Sequence, residues 1–275
     1  MKITLAHSPD ADDAFMFYGL ATGKIDTEGV TIVHELRDIQ TLNEWAREGK
    51  YEITAISWHA YPEIQDKYAP LVTGGSFGEK DYGPMIVKRA DRPFFKDGVI
   101  GVPGTKTTAF LLLRLWYPDV EYKVIPFDKI PQAVVSGEVD AGLLIHEGQL
   151  FYKELGLEEV VNFGKWWYDQ YQMTLPLGGN IVRRDLSQEL QKKIAKWLQQ
   201  SFEYSLAHRA QALDHALQFA RDLPTAKADQ FVGMYVNERT IDMGDEGKKA
   251  VQLILDLGYK QKIISQKAHL DWIES

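Results

Sequence analysis

The sequence predicts an α/β protein of two lobes that close a cleft around a small anionic ligand. Three observations carry this expectation. Over the first two-thirds of the chain, short β-rich runs alternate with helical segments, the pattern of parallel sheets with helices packed on their faces. The final third is almost wholly helical in its apolar spacing. The chain has 275 residues, beyond the size of a usual domain of about 100–150 residues.

The β-rich runs fall at 2–6, 30–36, 52–56, 71–73, 85–88, 99–102, 122–126, 141–145, 160–163 and 180–183. Helical patterns fill 12–21, 41–48, 107–116, 129–136 and 147–154 between them. Ser187 stands as an N-cap before Gln188 and Glu189, a side-chain oxygen placed to accept from the first free N–H groups of a helix. From there to about Ala220, Leu190, Ile194, Trp197, Leu198, Phe202 and Leu206 recur at helical spacing and cover a sheet face. Pro224 ends that run, and two more helices follow near 229–238 and 246–256. This order divides the chain into a discontinuous first lobe, residues 1–88 plus 183–275, and a second lobe, residues 89–182. Strands near 83–88 and 178–183 then carry the chain across and back. Two crossings make a hinge, and such lobes hold ligands at the ends of their strands. One continuous sheet with an appended helical domain is the alternative.

Composition narrows the function. Hydrophobic residues make up 45% of the chain and the net charge is −8, so there is ample core and an acidic surface that repels nucleic acid and anionic membranes. Cysteine is absent, which removes disulfides, thiolate nucleophiles and cysteine-held metals. The opening MKITLAHSPD has too few apolar residues before His7 and Pro9 for a signal peptide, and no apolar run reaches the roughly 18 residues of a membrane span. A cytoplasmic protein, monomer or homodimer, with a small carboxylate as its partner is expected.

Three segments carry chemistry. Val99-Ile100-Gly101-Val102-Pro103-Gly104-Thr105-Lys106-Thr107-Thr108 reads as strand, turn and helix start. Its free N–H groups and the Thr105, Thr107 and Thr108 hydroxyls form a cradle for a carboxylate or phosphate; equally, the threonines serve as helix caps. A nucleotide P-loop is excluded, because Thr105 separates Gly104 from Lys106. The run Gly137 to Glu147 ends a helix, turns, and delivers His146 at the C-terminal end of an apolar strand, where α/β sheets bind ligands. Histidine suits proton transfer near neutrality, although a lone histidine there is also a common structural residue. A zincin needs a second histidine four residues on, and Leu150 stands there; His7, His34, His59, His208, His215 and His269 show no ligand spacing, so no metal is expected. Third, Ser8-Pro9-Asp10-Ala11-Asp12-Asp13 follows the first strand. Phe15 stands where an EF-hand needs its glycine, and Asp10 or Asp12 reads as the cap of the next helix. Ser57 closes the third strand on the same rim, and Asn43 sits in a helical pattern that leaves its direction open. Trp166 and Trp167 suit a core or an interface between lobes.

Together these segments resemble the 1,4-dihydroxy-6-naphthoate synthase family of the futalosine route to menaquinone, over nearly the whole chain. The resemblance is carried by Ser8-Pro9 with Phe15 and Tyr18; Thr41-Leu42-Asn43 with Trp45; Gly83-Pro84; Val102-Pro103-Gly104 with Thr107-Thr108-Ala109; Gly137-Glu138-Val139-Asp140-Ala141-Gly142-Leu143 with Ile145-His146-Glu147; and Leu175-Pro176-Leu177-Gly178. It implies a periplasmic-binding-protein type II fold used as a cofactor-free carbon–carbon lyase. The implied substrate is cyclic dehypoxanthine futalosine, split into 1,4-dihydroxy-6-naphthoate and a dihydroxyacetone-type fragment. Carried over by position, His146 matches the proton acceptor, Thr107 and Thr108 the carboxylate-binding helix start, and Ala55, Ile56 and Ser57 a rim that contacts substrate. Ser8, Asp13 and Asn43 join them as candidate substrate-binding residues. Members often read Ser-Pro-Cys-Pro-Asn-Asp at the first loop, so the resemblance assigns no role to Asp10 or Asp12. Two other functions compete: a non-catalytic small-anion binding protein with the same lobes, which normally carries a secretion signal, and chorismate dehydratase, which shares the fold. The Ile145-His146-Glu147 strand end favours the naphthoate synthase.

Overall fold

Alternating apolar residues at the N-terminus build the first strand, β1 (Lys2–His7), with Ile3 and Leu5 fully buried. The computed structural model describes residues 1–80, 82–94, 97–219 and 224–275; Ala220, the expected end of the long helix, and the side chain of Glu147 lie outside them. Strands β2 (Thr31–Leu36) and β3 (Ile53–Ser57) flank β1, both parallel to it. Short strands β4 (Tyr68–Pro70) and β5 (Ser76–Gly78) follow. The chain then enters a second sheet through β6 (Met85–Arg89), β7 (Ile100–Val102), β8 (Tyr122–Val124), β9 (Ala141–Leu144) and β10 (Leu157–Asn162). It returns to the first sheet with β11 (Leu175–Arg183). The strand orders are β2-β1-β3-β11-β4, with β5 also on β11, and β10-β6-β9-β7-β8.

The expected crossing strands do not cross. Among the described residues Met85–Arg89 pairs only with β9 and β10, and Leu175–Arg183 only with β3, β4 and β5. Ile86, Val87, Ile181 and Val182 are all fully buried, so each strand is covered on both faces within one sheet. The boundaries set at 88/89 and 182/183 therefore fall inside β6 and β11, each one residue before the strand's end. The run expected at 71–73 pairs three residues earlier, as β4, with Leu71 making only a bridge to Ile273.

Local chemistry shapes the helices. The pattern at 12–21 breaks at Phe17 into α1 (Ala11–Met16) and α2 (Tyr18–Ala21). Ser201 explains the break: its hydroxyl donates to the Met16 carbonyl at 3.0 Å and accepts from the Leu20 N–H at 3.2 Å, while Ser205 donates to the Ser201 carbonyl at 2.8 Å, and a side chain inserted into a backbone ladder kinks it. Next come α3 (Ile39–Glu48), α4 (Thr108–Trp116) and α5 (Ile130–Ser136). The helix expected at 147–154 is instead two 3-10 turns, His146–Leu150 and Tyr152–Leu155. Helix α6 (Phe163–Tyr171) carries the return crossing; its Trp167 is fully buried and its indole N–H donates to the Thr174 carbonyl at 3.1 Å. The long C-terminal helix divides at His208 into α7 (Gln188–Ala207) and α8 (Arg209–Ala216), followed by α9 (Thr225–Tyr235), α10 (Glu238–Ile241) and α11 (Gly244–Lys260). Helix α11 reaches the second lobe. A Cβ on Gly258 would lie 2.6 Å from Ile264 and 3.0 Å from Leu111 of α4, and Trp58, Leu111, Ile254 and Leu255 share one apolar cluster. No described helix is long and apolar enough to cross a membrane.

Candidate active site

Four strand ends meet. Within the first sheet β1 and β3 are parallel neighbours, so Ser8 and Ser57 emerge side by side. Within the second, β7 and β9 are parallel neighbours, so the loop to Thr107 and the residue His146 emerge side by side. The ends face a cleft between the sheets, the position that parallel-strand topology favours for ligands. Ser8, Asp13, Ala55, Ile56, Ser57, Thr107, Thr108 and His146 all line it.

Asn43 is the exception. It is fully buried and absent from the cleft wall. Its Oδ1 accepts from the Ser57 N–H at 2.8 Å, while Nδ2 donates to Ser57 Oγ at 3.1 Å and to the Lys106 carbonyl at 3.3 Å. The side chain braces two rim segments from behind, one from each lobe.

At the helix start, both threonine hydroxyls have protein partners. Thr107 Oγ1 accepts from the Phe110 N–H and donates to the Gly104 carbonyl, each at 3.1 Å. Thr108 Oγ1 donates to the Leu177 carbonyl of β11 and accepts from the His59 N–H at 3.4 Å. The anion-binding capacity therefore lies in the backbone: the first N–H groups of α4, at Thr108 and Ala109, have no acceptor within the helix, and the dipole adds about 0.3–1 kcal/mol for an anion. Thr107 is thus a cap that also aims the cradle. Thr107→Val should cost about 1 kcal/mol in urea unfolding, and wild-type stability would show that the cap contributes nothing.

His146 has φ +59°, a left-handed backbone in the first residue of its 3-10 turn. Such a conformation costs a non-glycine residue about 1–3 kcal/mol and is held only where the surroundings fix it. Here the ring packs edge-on to Phe127, with centroids 4.7 Å apart, and Nδ1 lies 2.9 Å from Asp10 Oδ2. Asp10 or Asp12 was expected to cap the helix that follows, and Asp10 is the one placed to do so. It does occupy the N-cap position, but its side chain makes no cap bond; instead Oδ2 accepts from Ser8 Oγ. Asp13 Oδ2 accepts from the Ser8 N–H at 2.7 Å. Burial, then the neighbouring Asp12 and Asp10 carboxylates, push the Asp13 carboxyl well above its usual range.

Several wall residues were not legible in the sequence. Gln149, one turn after His146, donates to the Tyr235 hydroxyl at 3.1 Å, joining the second lobe to α9 across the cleft. Phe231 and Tyr235 of α9 and Asn180 of β11 also line it. Gly179 next to Asn180 makes space for the Trp58 indole, since a Cβ there would collide with that ring. No group of three or more histidine or acidic side chains among the described residues is placed to hold a metal ion.

A family model described as menaquinone biosynthesis matches residues 3–260. A 1,4-dihydroxy-6-naphthoate synthase of Thermus thermophilus is 36% identical over 249 residues, 90% of this chain and 91% of that protein. One from Streptomyces coelicolor is 32% identical over 259 residues, 92% and 91% of the two chains. Among solved structures, a protein of Archaeoglobus fulgidus is 42% identical, with a TM-score of 0.92 over 96% of this chain and 98% of that one. The alkanesulfonate-binding protein of Xanthomonas axonopodis pv. citri, at 13% identity, superposes with a TM-score of 0.74 over 100% of this chain and 98% of its own. That likeness speaks for the fold alone, which is the two-lobed periplasmic-binding-protein fold.

Proposed function

This chain belongs to the menaquinone-biosynthesis family, and from that premise we propose that it forms 1,4-dihydroxy-6-naphthoate from cyclic dehypoxanthine futalosine. The supporting observation is that His146 and the α4 helix start line one cleft. The substrate carboxylate binds the Thr108 and Ala109 N–H groups, converting binding energy into orientation of the reacting end. His146 takes a proton from a substrate hydroxyl and starts cleavage of the adjacent carbon–carbon bond, releasing a dihydroxyacetone-type fragment. Formation of the aromatic ring supplies much of the drive, so the chemistry requires neither metal nor organic cofactor. The Gln149–Tyr235 bond closes one side of the cleft, which limits water around the intermediate.

Incubating the purified protein with cyclic dehypoxanthine futalosine should yield the naphthoate, read by mass spectrometry. Intact substrate after prolonged incubation would refute this function. Thr107→Val combined with Thr108→Val tilts the cradle and breaks the tie to Leu177, so KM should rise about tenfold with a smaller change in kcat. An unchanged KM would move the carboxylate elsewhere.

A further inference from the structure

We propose that Asp10 is the positioning residue for His146, and that the pair assembles across the cleft. The inference rests on the reading of His146 as the base. Asp10 stands in the first lobe, after β1, and His146 in the second, after β9. Oδ2 of Asp10 accepts from Ser8 Oγ and lies 2.9 Å from His146 Nδ1. Asp10 is 1% exposed, whereas His146 keeps 17% of its side-chain surface.

A carboxylate oxygen only accepts, so the proton of a neutral imidazole beside it resides on Nδ1. Nε2 is then bare and can take the substrate's proton, as a base must. An Asp at an N-cap position ordinarily bonds the helix it precedes. Here the side chain leaves α1 uncapped and meets Ser8 and His146 instead, so its place is set by the histidine. Because the partners come from different lobes, apposing the lobes completes the base: an open form has the histidine without its orienting group. The Ser8 backbone N–H is taken by Asp13, which fixes the loop presenting Asp10.

The test uses the full chain with Asp10→Ala, Asp10→Asn and His146→Gln. Nitrogen NMR of histidine-labelled protein, with the His146 signal assigned by its loss in His146→Gln, reports the tautomer directly. Wild type should carry the proton on Nδ1, and Asp10→Ala should move it to Nε2. In the same variant kcat should fall about 10²-fold while KM stays within about threefold. Asp10→Asn keeps an acceptor oxygen and should lie between the two. The double variant Asp10→Ala/His146→Gln should be no slower than His146→Gln alone, since residues acting as a unit are not additive. Wild-type kcat in Asp10→Ala, or lost kcat with the proton still on Nδ1, overturns the proposal. If Asp10→Ala does not fold, Asp10→Asn decides: unchanged kcat overturns it, and a fall of about tenfold at near-constant KM supports it. A His146→Gln variant that turns over normally removes the base itself, whereas an essential His146 with a dispensable Asp10 removes only the pairing.

Discussion

Replacing His146 with alanine should lower kcat by at least about 10²-fold, the usual contribution of a positioned general base, while a substrate-sized carboxylate still binds. The two functions separate because they use different parts of the wall. Anchoring uses backbone N–H groups at Thr108 and Ala109, whereas proton removal uses the imidazole at the end of β9. The backbone at this position complicates the choice of variant. His146 has φ +59°, and alanine has no side chain to relieve a left-handed conformation. Asparagine visits that region more readily, so His146→Asn is the companion that keeps the turn. Both variants should bind substrate within several-fold of wild type by calorimetry and both should fail in single-turnover product formation. Near-normal product formation by either one would end the case for His146 as base.

How much of this site could be read from the sequence follows from the range of the forces involved. Strand ends are local. Apolar alternation and the Gly/Pro punctuation around Ser8, Ser57, Thr107 and His146 place each at the C-terminal end of a parallel strand, and topology then gathers them. Partnerships are not local. The Asp10–His146 contact joins the loop after the first strand to the turn after the ninth, and the N-cap pattern at Asp10 pointed to its own helix instead. Asn43 shows the same limit: helical spacing located its helix, but its direction was decided by the Ser57 and Lys106 groups it satisfies. The α1–α2 break depends on Ser201 of α7, whose hydroxyl stands between the Met16 carbonyl and the Leu20 N–H, a reach no periodicity reveals. Strand membership failed for a related reason. Met85–Arg89 and Leu175–Arg183 read as connections because they neighbour the crossings, yet their burial on both faces commits each to a single sheet.

Acidification should unfold this protein well before its carboxylates alone would account for it. Burial lowers three histidines: His7 to about 3, with His34 adding to the effect; His34 to about 4; and His59 to about 4. All three are neutral when folded. His7 Nδ1 faces the Ser8 carbonyl at 2.9 Å and so carries the proton, which leaves Nε2 to accept from His34 Nδ1 at 3.0 Å. His59 Nδ1 donates to the Thr107 carbonyl at 3.1 Å. In the unfolded chain each titrates near its ordinary value of about 6.5. Their stabilising contribution is therefore fully present above that value and is lost as pH falls toward 4, because the unfolded state then binds protons that the native state refuses. Asp13 works in the opposite sense: its carboxyl is raised on folding, so its own contribution grows as pH falls. Each of the three histidines adds a slope of up to about 1.4 kcal/mol per pH unit between its folded and unfolded values. Urea unfolding at pH 7, 6, 5 and 4.5 should show this fall, and His7→Gln, which keeps an amide at the site but cannot titrate, should flatten it by about one proton. A profile that is level from pH 7 to 5 would contradict the neutral cluster. The consequence reaches the active site, because His7 bonds the carbonyl of Ser8, the residue that holds Asp10 and Asp13. Charging His7 converts an internal donor–acceptor chain into a buried cation, and the loop that orients His146 should loosen together with β1.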